Sequence, residues 1–208
     1  MTSWRTSNRP WRRRASARVK TAVTGDRERT VWSFPPVMGE RPRVLVLGSM
    51  PGVRSLSAGE YYAHPRNAFW LIMGALLGFE PELPYRNRLT ALKAAGIGLW
   101  DVLHCCVRPG SADSAIQSGS RVANDFPALF RRYPGIELVC FNGAEAERSF
   151  RRSVQPLLIR PRFNTHRLPS TSPAYAALSV QGKQAAWAKV ILPRLTMDAW
   201  RQDSGRYG

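Results

Sequence analysis

The sequence predicts an α/β fold, a three-layer α/β/α sandwich around a short, mostly parallel sheet of four strands. Two observations support this prediction. Four short runs of β-branched and aliphatic residues have the length of buried strands, at residues 43–48, 97–101, 136–141 and 163–168. Segments with helical periodicity lie between and after these runs, at residues 67–77, 87–95, 124–132, 144–153 and 182–194. Such alternation is typical of a parallel sheet covered by helices on both faces.

The first predicted strand, Arg43-Val-Leu-Val-Leu-Gly48, is a run of aliphatic residues closed by a glycine. Ser49-Met-Pro-Gly52 then predicts a tight turn, because proline and glycine both interrupt regular structure. We expect a loop from this turn to His64-Pro65. The helix that follows, from Asn67 to Leu77, is predicted from apolar residues that recur on one side.

The second predicted strand, Ile97-Gly-Leu-Trp-Asp101, ends in an acidic residue, and residues 107–121 have the composition of a polar loop. Asn124 or Asp125 is placed to cap the helix that ends near residue 132, since both residue types favour that position.

The last predicted elements alternate in the same way. The third strand runs through Asn142-Gly143 directly into a helix. The fourth strand is followed by the loop Pro169-Ser-Thr-Ser-Pro173, and the closing helix carries Trp187, Val190 and Ile191.

Polar residues follow each predicted strand at the point where it ends. These ends are Gly48-Ser49, Asp101, Asn142 and Pro169-Ser170. In open α/β sheets, ligands bind outside the carboxyl ends of the strands. The sequence therefore predicts that these segments converge on a single binding site.

Charge is the strongest signal in the composition. The formal net charge is +17 and the sequence pI is about 11.2. The first thirty residues hold nine Lys and Arg against Asp26 and Glu28, a net of +7, which leaves +10 on the other 178 residues. A basic balance of this size predicts a polyanionic partner such as nucleic acid.

We predict three segments along the chain. Residues 1–38 mix Arg, Ser, Thr and Pro without a regular period and are expected to form a basic, disordered arm. Residues 39–200 are expected to form the folded domain, and residues 201–208 a C-terminal tail.

Several classes of protein are disfavoured by what the sequence lacks. It contains no run of 18 apolar residues and no apolar N-terminal signal, so neither a membrane partner nor secretion is expected. Its three cysteines are expected to be reduced thiols of a cytoplasmic protein. His64, His104 and His166 lack metal-ligand spacing, and no phosphate-binding glycine motif or nucleophile elbow is present, so no metal and no cofactor is expected.

Two stretches resemble the active-site motifs of the uracil-DNA glycosylase superfamily. The first joins Gly48-Ser-Met-Pro-Gly52 to Tyr61-Tyr-Ala-His-Pro-Arg-Asn67 and Phe69-Trp70, and the second is Leu168-Pro-Ser-Thr-Ser-Pro-Ala174. The first is more similar to the hypoxanthine (deoxyinosine) branch than to the mismatch-specific uracil and thymine enzymes. The resemblance spans residues 42–195 and includes Leu99-Trp-Asp-Val-Leu103, Gly110-Ser-Ala-Asp-Ser114 and Phe141-Asn-Gly143.

This resemblance implies a monofunctional DNA glycosylase that hydrolyses the N-glycosidic bond of a flipped, deaminated base, with hypoxanthine as the expected substrate. The expected partner is DNA containing such a base, and the protein is expected to be a monomer. A uracil or xanthine glycosylase on the same scaffold is the nearest alternative, and a non-catalytic DNA-binding module is another. Neither motif contains a lysine, which disfavours strand cleavage through a Schiff base.

The resemblance also assigns the catalytic residue. The mismatch-specific enzymes carry a water-activating Asn two residues after the first motif glycine, whereas this chain has Met50 there. The hypoxanthine branch shares that departure, so the role passes to Asn67. Its carbonyl would orient water while its amide NH₂ is anchored to the backbone. Alternatively, Asn67 only caps the helix that it opens.

The base-binding residues predicted on the same grounds are Ser49, Met50, Gly52, Tyr62 and Asn142. Tyr62 is expected to stack on the flipped base, or else to pack in the core. Backbone amides of residues 49–52 are expected to donate to the leaving base, although Gly52 would also serve the turn alone. The Asn142 amide would read the base edge or cap the next helix.

The second motif supplies the predicted DNA contacts, which are Ser170, Thr171, Ser172 and Tyr175. Hydroxyl groups of Ser and Thr commonly bind phosphates. The motif has no His, so it offers the leaving base no positive charge. Asp101 is expected to hold the loop or the water. Lys183 and the arginines between residues 148 and 167 are candidate phosphate contacts.

Overall fold

The structure, a computed structural model, describes residues 30–195. The strands are β1 (Thr30–Trp32), β2 (Val44–Gly48), β3 (Ile97–Asp101), β4 (Leu103–Val107), β5 (Val122–Ala123), β6 (Leu138–Asn142) and β7 (Asn164–Leu168). The α-helices are α1 (Val53–Ala58), α2 (Phe69–Leu77), α3 (Tyr85–Ala94), α4 (Phe126–Arg132), α5 (Ala144–Ser153) and α6 (Val180–Ile191).

The central sheet has four strands in the order β3-β2-β6-β7, and all three neighbouring pairs are parallel. Gly48 pairs with Asp101 at the end of β2 and β3, and Asn142 pairs with Leu168 at the end of β6 and β7. The four carboxyl ends therefore lie along one edge, as the sequence predicted.

Helices cover both faces of this sheet. Val44 and Val46 of β2 face a core that includes residues of α2 and α6, whereas Leu45 and Leu47 face a core that includes residues of α4 and α5. Alternate residues of a strand point to opposite faces, so a strand buried on both faces is apolar throughout. The predicted three-layer α/β/α sandwich is confirmed.

A second, smaller sheet was not predicted. It consists of β1, β4 and β5, and both pairs are antiparallel. Its central strand β4 begins only two residues after β3 ends, where Leu103 N donates to Ser49 O at 3.1 Å. The mixed segment Leu103-His-Cys-Cys-Val107 has no clear alternation, which is why the sequence did not predict a strand there.

Residues 30–38 correct the predicted boundary of the N-terminal arm. They belong to the fold, because β1 pairs with β4 and Val37 exchanges backbone hydrogen bonds with Leu99. Phe34 packs against the core, and its carbonyl accepts a hydrogen bond from Trp100 Nε1 at 3.0 Å. The prolines of this segment concealed its order in the sequence. Residues 1–29 and 196–208, which include the rest of the predicted arm and the whole predicted tail, lie outside the described residues.

The structure also corrects one local prediction and decides between the two alternatives of another. The segment expected to be a loop before His64 contains the short helix α1. Asp125, rather than Asn124, caps α4, since Asp125 Oδ1 accepts from Ala128 N at 3.0 Å. Within residues 30–195, every helix is too short or too polar to cross a membrane.

Candidate functional site

The candidate site lies at the carboxyl edge of the central sheet and includes the segment after β2, the start of α2 and the segment after β7. We call residues 49–52 the first turn and residues 169–175 the second loop. Ala68 N, beside Asn67, donates to Thr171 O at 3.0 Å. The two motifs are therefore joined directly, although about 100 residues separate them in the sequence.

Asn67 lies at the start of α2 and is half-buried. Its Oδ1 accepts a hydrogen bond from Phe69 N at 3.0 Å, and its own backbone N donates to His64 O at 2.8 Å. This contact reverses part of the prediction, because the carbonyl rather than the NH₂ group is the atom held by the backbone. An amide carbonyl has two lone pairs, so Oδ1 retains one acceptor site for a water molecule.

Tyr62 stacks on Phe69, with ring centroids 3.9 Å apart and an interplanar angle of 21°. One face of the ring is thus occupied by the core, while the residue as a whole is only half-buried. Its φ of 57° is left-handed, a conformation uncommon for residues other than glycine. Burial, and secondarily the charge of Asp101, raises the pKa of the Tyr62 hydroxyl, which therefore stays protonated.

Asn142 does not cap α5, because the residue before the first residue of this helix is Gly143, which has a positive φ of 97°. Instead, both of its amide atoms bind Thr171. Nδ2 donates to Thr171 Oγ1 at 2.8 Å, and Oδ1 accepts from Thr171 N at 2.8 Å. This pair fixes the second loop to the end of β6.

Two charged side chains from the segment after β4, Arg108 and Asp113, bind the first turn. Ser49 Oγ donates to Asp113 Oδ1 at 2.7 Å. The guanidinium of Arg108 donates to Pro51 O and to Gly110 O, and its Nη1 lies 3.5 Å from Met50 O. Arg108 is 2% exposed, so this guanidinium is almost completely withdrawn from solvent.

Met50 is 6% exposed and packs in a small apolar cluster with Leu103, Cys106 and Ile116. This packing accounts for an apolar residue where the mismatch-specific enzymes carry Asn. Any contact between residue 50 and a base would consequently fall to its backbone.

Asp101 is a buried carboxylic acid directly behind the first turn. A methyl group added to Gly48 would lie 2.5 Å from Asp101 Oδ1, so a larger residue at position 48 would have to displace the Asp101 carboxyl group. Its Oδ2 has no hydrogen-bond partner among the residues that the structure describes. Burial, reinforced by Asp113 and opposed by Arg108, raises the pKa of Asp101 to about 8. The acid is therefore mainly protonated at neutral pH.

The second loop is tied down by its own hydroxyl groups. Ser170 Oγ accepts from Ser172 N at 3.2 Å, and Ser172 Oγ accepts from Ala174 N at 3.3 Å. Thr171 is 1% exposed, whereas Tyr175 is 38% exposed. Of the predicted DNA contacts, Tyr175 is thus the most accessible.

Lys183 is buried in α6, and its predicted role as a phosphate contact is wrong. Its Nζ donates to Tyr175 O at 2.7 Å and to Ser172 O at 3.4 Å. Burial lowers the pKa of this ammonium group. Sequence reasoning missed both Arg108 and Lys183 as loop-holding residues, because a long cationic side chain normally indicates a solvated surface.

The arginines between residues 148 and 167 lie at the surface, and several form ion pairs with acids of α5. Arg148 Nη2 lies 2.7 Å from Glu145 Oε2, and Arg151 and Arg167 pair with Glu147. Exposed pairs of this kind contribute little stability, so these cations can still exchange their partners for phosphates. Among residues 30–195, no group of three or more His, Cys, Asp or Glu is arranged to hold a metal ion.

Comparison with known proteins places this site in a family. A model of the uracil DNA glycosylase superfamily matches residues 35–196. A hypoxanthine DNA glycosylase of Methanosarcina barkeri is 36% identical over 159 residues, which is 76% of this chain and 96% of that protein. A second, from Methanosarcina acetivorans, is 37% identical over the same length and shares.

Two further comparisons are more distant or structural. A G/U mismatch-specific uracil DNA glycosylase of Schizosaccharomyces pombe is 28% identical over 109 residues, which is 49% of this chain and 32% of that protein. A solution NMR structure of a Methanosarcina acetivorans protein assigned to the uracil DNA glycosylases superposes with a TM-score of 0.67 at 35% identity. The match covers 78% of this chain and 97% of that one.

Proposed function

This chain belongs to the uracil DNA glycosylase superfamily, and we propose that it hydrolyses the N-glycosidic bond of hypoxanthine in DNA and leaves an abasic site. The enzyme is a DNA glycosylase, a hydrolase acting on N-glycosyl bonds. Hypoxanthine is favoured because the two relatives that match most of this chain are named for that base. The relative named for uracil matches a smaller share of both chains, so the uracil alternative has weaker support.

One observation carries the proposal at the level of the site. The hydrogen bond from Ala68 N to Thr171 O places Asn67 and the second loop side by side. The Asn142–Thr171 pair fixes the same loop to the sheet edge that carries the first turn. The predicted catalytic, base-binding and DNA-binding residues therefore belong to one connected structure.

The reaction requires a water molecule, a bound base and a group that stabilises the negative charge of the leaving base. A glycosylase extrudes its target nucleotide into a pocket, and the sugar becomes oxocarbenium-like as the bond to the base breaks. Water adds to C1′, the electron pair of the C1′–N bond leaves with the base, and one water proton ends on the departing base. In this proposal the second lone pair of Asn67 Oδ1 accepts a hydrogen bond from that water and orients it.

The remaining predicted residues hold the base and the DNA. Tyr62 offers the ring face opposite Phe69 for stacking, and amides of the first turn donate to the base. Tyr175, in the second loop, and Leu178, three residues after it, both carry exposed apolar side chains that are available to contact DNA. The strongly basic composition attracts the phosphate backbone.

The proposal extends to the setting in which the enzyme acts. We propose a monomer in the cytoplasm, bound to DNA that contains a deaminated base. Its three cysteines are free and buried, which suits a reducing compartment. Sedimentation of the purified chain at working concentration should give the mass of a single copy, and a dimer would contradict this part of the proposal.

Base release from matched duplexes tests the function. Duplexes with one hypoxanthine, uracil or xanthine are incubated with excess enzyme, and strands are analysed with and without alkali. We expect preferred release of hypoxanthine, with nicking only after alkali. Preferred release of uracil or xanthine would show that this base, and not hypoxanthine, is the substrate. Tight binding without any release would favour the non-catalytic DNA-binding module.

A further inference from the structure

Arg108 reaches the first turn through the main chain rather than through side chains. Its guanidinium donates to Pro51 O, lies 3.5 Å from Met50 O, and donates through Nε to Gly110 O at 3.1 Å. A guanidinium is a rigid, planar group with several donors, so it can hold two successive carbonyl groups at once.

Asp113 completes this arrangement. Its Oδ1 accepts from Ser49 Oγ at 2.7 Å and lies 3.8 Å from Arg108 Nη1. Ser111 Oγ, in the same segment, accepts from Val53 N at 2.9 Å. The segment after β4 therefore holds the turn at its beginning and its middle, and it also binds the first residue of α1, which follows the turn.

The geometry of the peptide bond determines where the Gly52 N–H group of the turn points when Arg108 binds the Pro51 carbonyl group. The described residues contain no cis peptide bond, and in a trans peptide the C=O and N–H groups point to opposite sides. Because the Pro51 carbonyl points at Arg108, the N–H of Gly52 points away from it. The preceding peptide has no N–H group, since residue 51 is proline. Gly52 N–H is thus a donor of the turn whose direction Arg108 sets.

The electrostatics favour a role in departure of the base. The second motif offers no His, so the negative charge of the leaving base needs another stabilising group. Donors oriented in advance within a desolvated site stabilise developing charge strongly. The guanidinium also polarises the Pro51–Gly52 peptide, because it binds the carbonyl end of that peptide.

We propose that Arg108 is a positioning residue, which fixes the Pro51–Gly52 peptide so that the Gly52 amide donates to the departing base. This inference rests on the proposed function. Asp113 is part of the device, because it holds Ser49 and balances the buried charge of Arg108.

Kinetics separate this role from a purely structural one. Arg108→Met removes the donors, and Arg108→Lys keeps one cation without the fork. Arg43→Met is the matched control, since Arg43 forms an ion pair with Glu137 at the opposite edge of the sheet. We expect Arg108→Met to lower the single-turnover rate on a hypoxanthine duplex about 10- to 100-fold. Arg108→Lys should have a smaller effect, the duplex Kd should change less than twofold in either variant, and Arg43→Met should keep the parental rate.

A second readout does not depend on turnover. In ¹⁵N-labelled protein, Arg108→Met should shift the Gly52 amide resonance and speed its hydrogen exchange, whereas Arg43→Met should not. An unchanged Gly52 amide, an unchanged rate, or a parallel loss of rate and duplex binding would overturn the inference. If the parent protein releases no base from any duplex, the proposed function fails, and the Gly52 resonance still decides whether Arg108 holds the turn. If Arg108→Met does not fold, Arg108→Lys provides both readouts.

Discussion

The two loops that form the site are held by the same device with different chemistry. Arg108 donates to carbonyl groups of the first turn, and Lys183 donates to carbonyl groups of the second loop. Arg108 has Asp113 beside it, whereas Lys183 lies against the ring of Tyr175, with Nζ 5.2 Å from the ring centroid, and burial lowers the pKa of Lys183. The first turn is thus held by a guanidinium paired with a carboxylate, and the second loop by an ammonium group beside an aromatic ring.

From this difference we infer that the first turn serves mainly the reaction and the second loop mainly the binding of DNA. In the proposed function the first turn and Asn67 serve the bond that breaks, so changes there should act mainly on the rate of base release. The second loop carries the exposed Tyr175, so changes beneath it should act mainly on the affinity for DNA. The predictions below test that division from the largest expected effect to the smallest.

Asn67→Ala should have the largest effect. It removes the acceptor proposed for the attacking water, so we expect the single-turnover rate to fall about 100- to 1,000-fold while duplex affinity is retained. Asn87→Ala, an exposed asparagine in α3, is the control and should keep the parental rate. An Asn67→Ala enzyme with parental turnover would show that Asn67 only opens α2.

Tyr62→Ala should have the next largest effect. Stacking of a base on an aromatic ring is worth about 1–3 kcal/mol. The kcat/KM of the variant for a hypoxanthine duplex should therefore fall by the factor that corresponds to this free energy. Tyr62→Phe keeps the ring and should retain most of the activity. Comparable losses in both variants, measured as kcat/KM, would mean that the hydroxyl group matters and the ring does not.

Lys183→Met should act on binding. Removing its donors leaves the carbonyls of Ser172 and Tyr175 without this partner and loosens the second loop. We expect the Kd for a hypoxanthine duplex to rise about tenfold, with a smaller change in the rate at saturating enzyme. Lys189→Met, an exposed lysine of the same helix, controls for the lost charge. A loss confined to the rate would break the proposed division between the two loops.

Asp101 comes last because its predicted effect is on stability rather than on activity, as a dependence of the free energy of unfolding on pH. Its pKa is raised from about 3.8 to about 8 in the folded protein, so between these values the folded state holds a proton that the unfolded chain releases. Stability should therefore fall as pH rises from about 4 to about 8, and this contribution should then level off. Asp101→Asn should remove the slope, as measured by urea unfolding at pH 5, 7 and 9. A parental slope in this variant would assign the dependence to other groups.

Much of the fold could be predicted because local and global signals agree. The aliphatic run before Gly48 fixes β2, and its burial on both faces follows from its composition. The strand β4 escaped prediction because its register depends on β1 and β5, which are distant in sequence. Residues 30–38 escaped it for the same reason, since backbone pairing with Leu99 and β4 orders them.

The site could be predicted only in part. The motifs predict roles for Asn67 and Tyr62, which stay predictions, and the strand ends predicted that Asp101 lies at the carboxyl edge of the sheet. The loop-holding roles of Arg108, Lys183 and Asn142 could not be found in this way. Each role depends on which main-chain atom or partner side chain the group reaches across the fold, and residue type alone does not specify that.

The most direct test is a crystal structure of Asn67→Ala bound to a duplex with one hypoxanthine. We predict an extruded hypoxanthine that lies against Tyr62 and accepts a hydrogen bond from Gly52 N, while Arg108 still binds the carbonyl groups of Met50 and Pro51. A hypoxanthine that remains stacked in the duplex, or that lies away from the first turn, would contradict it.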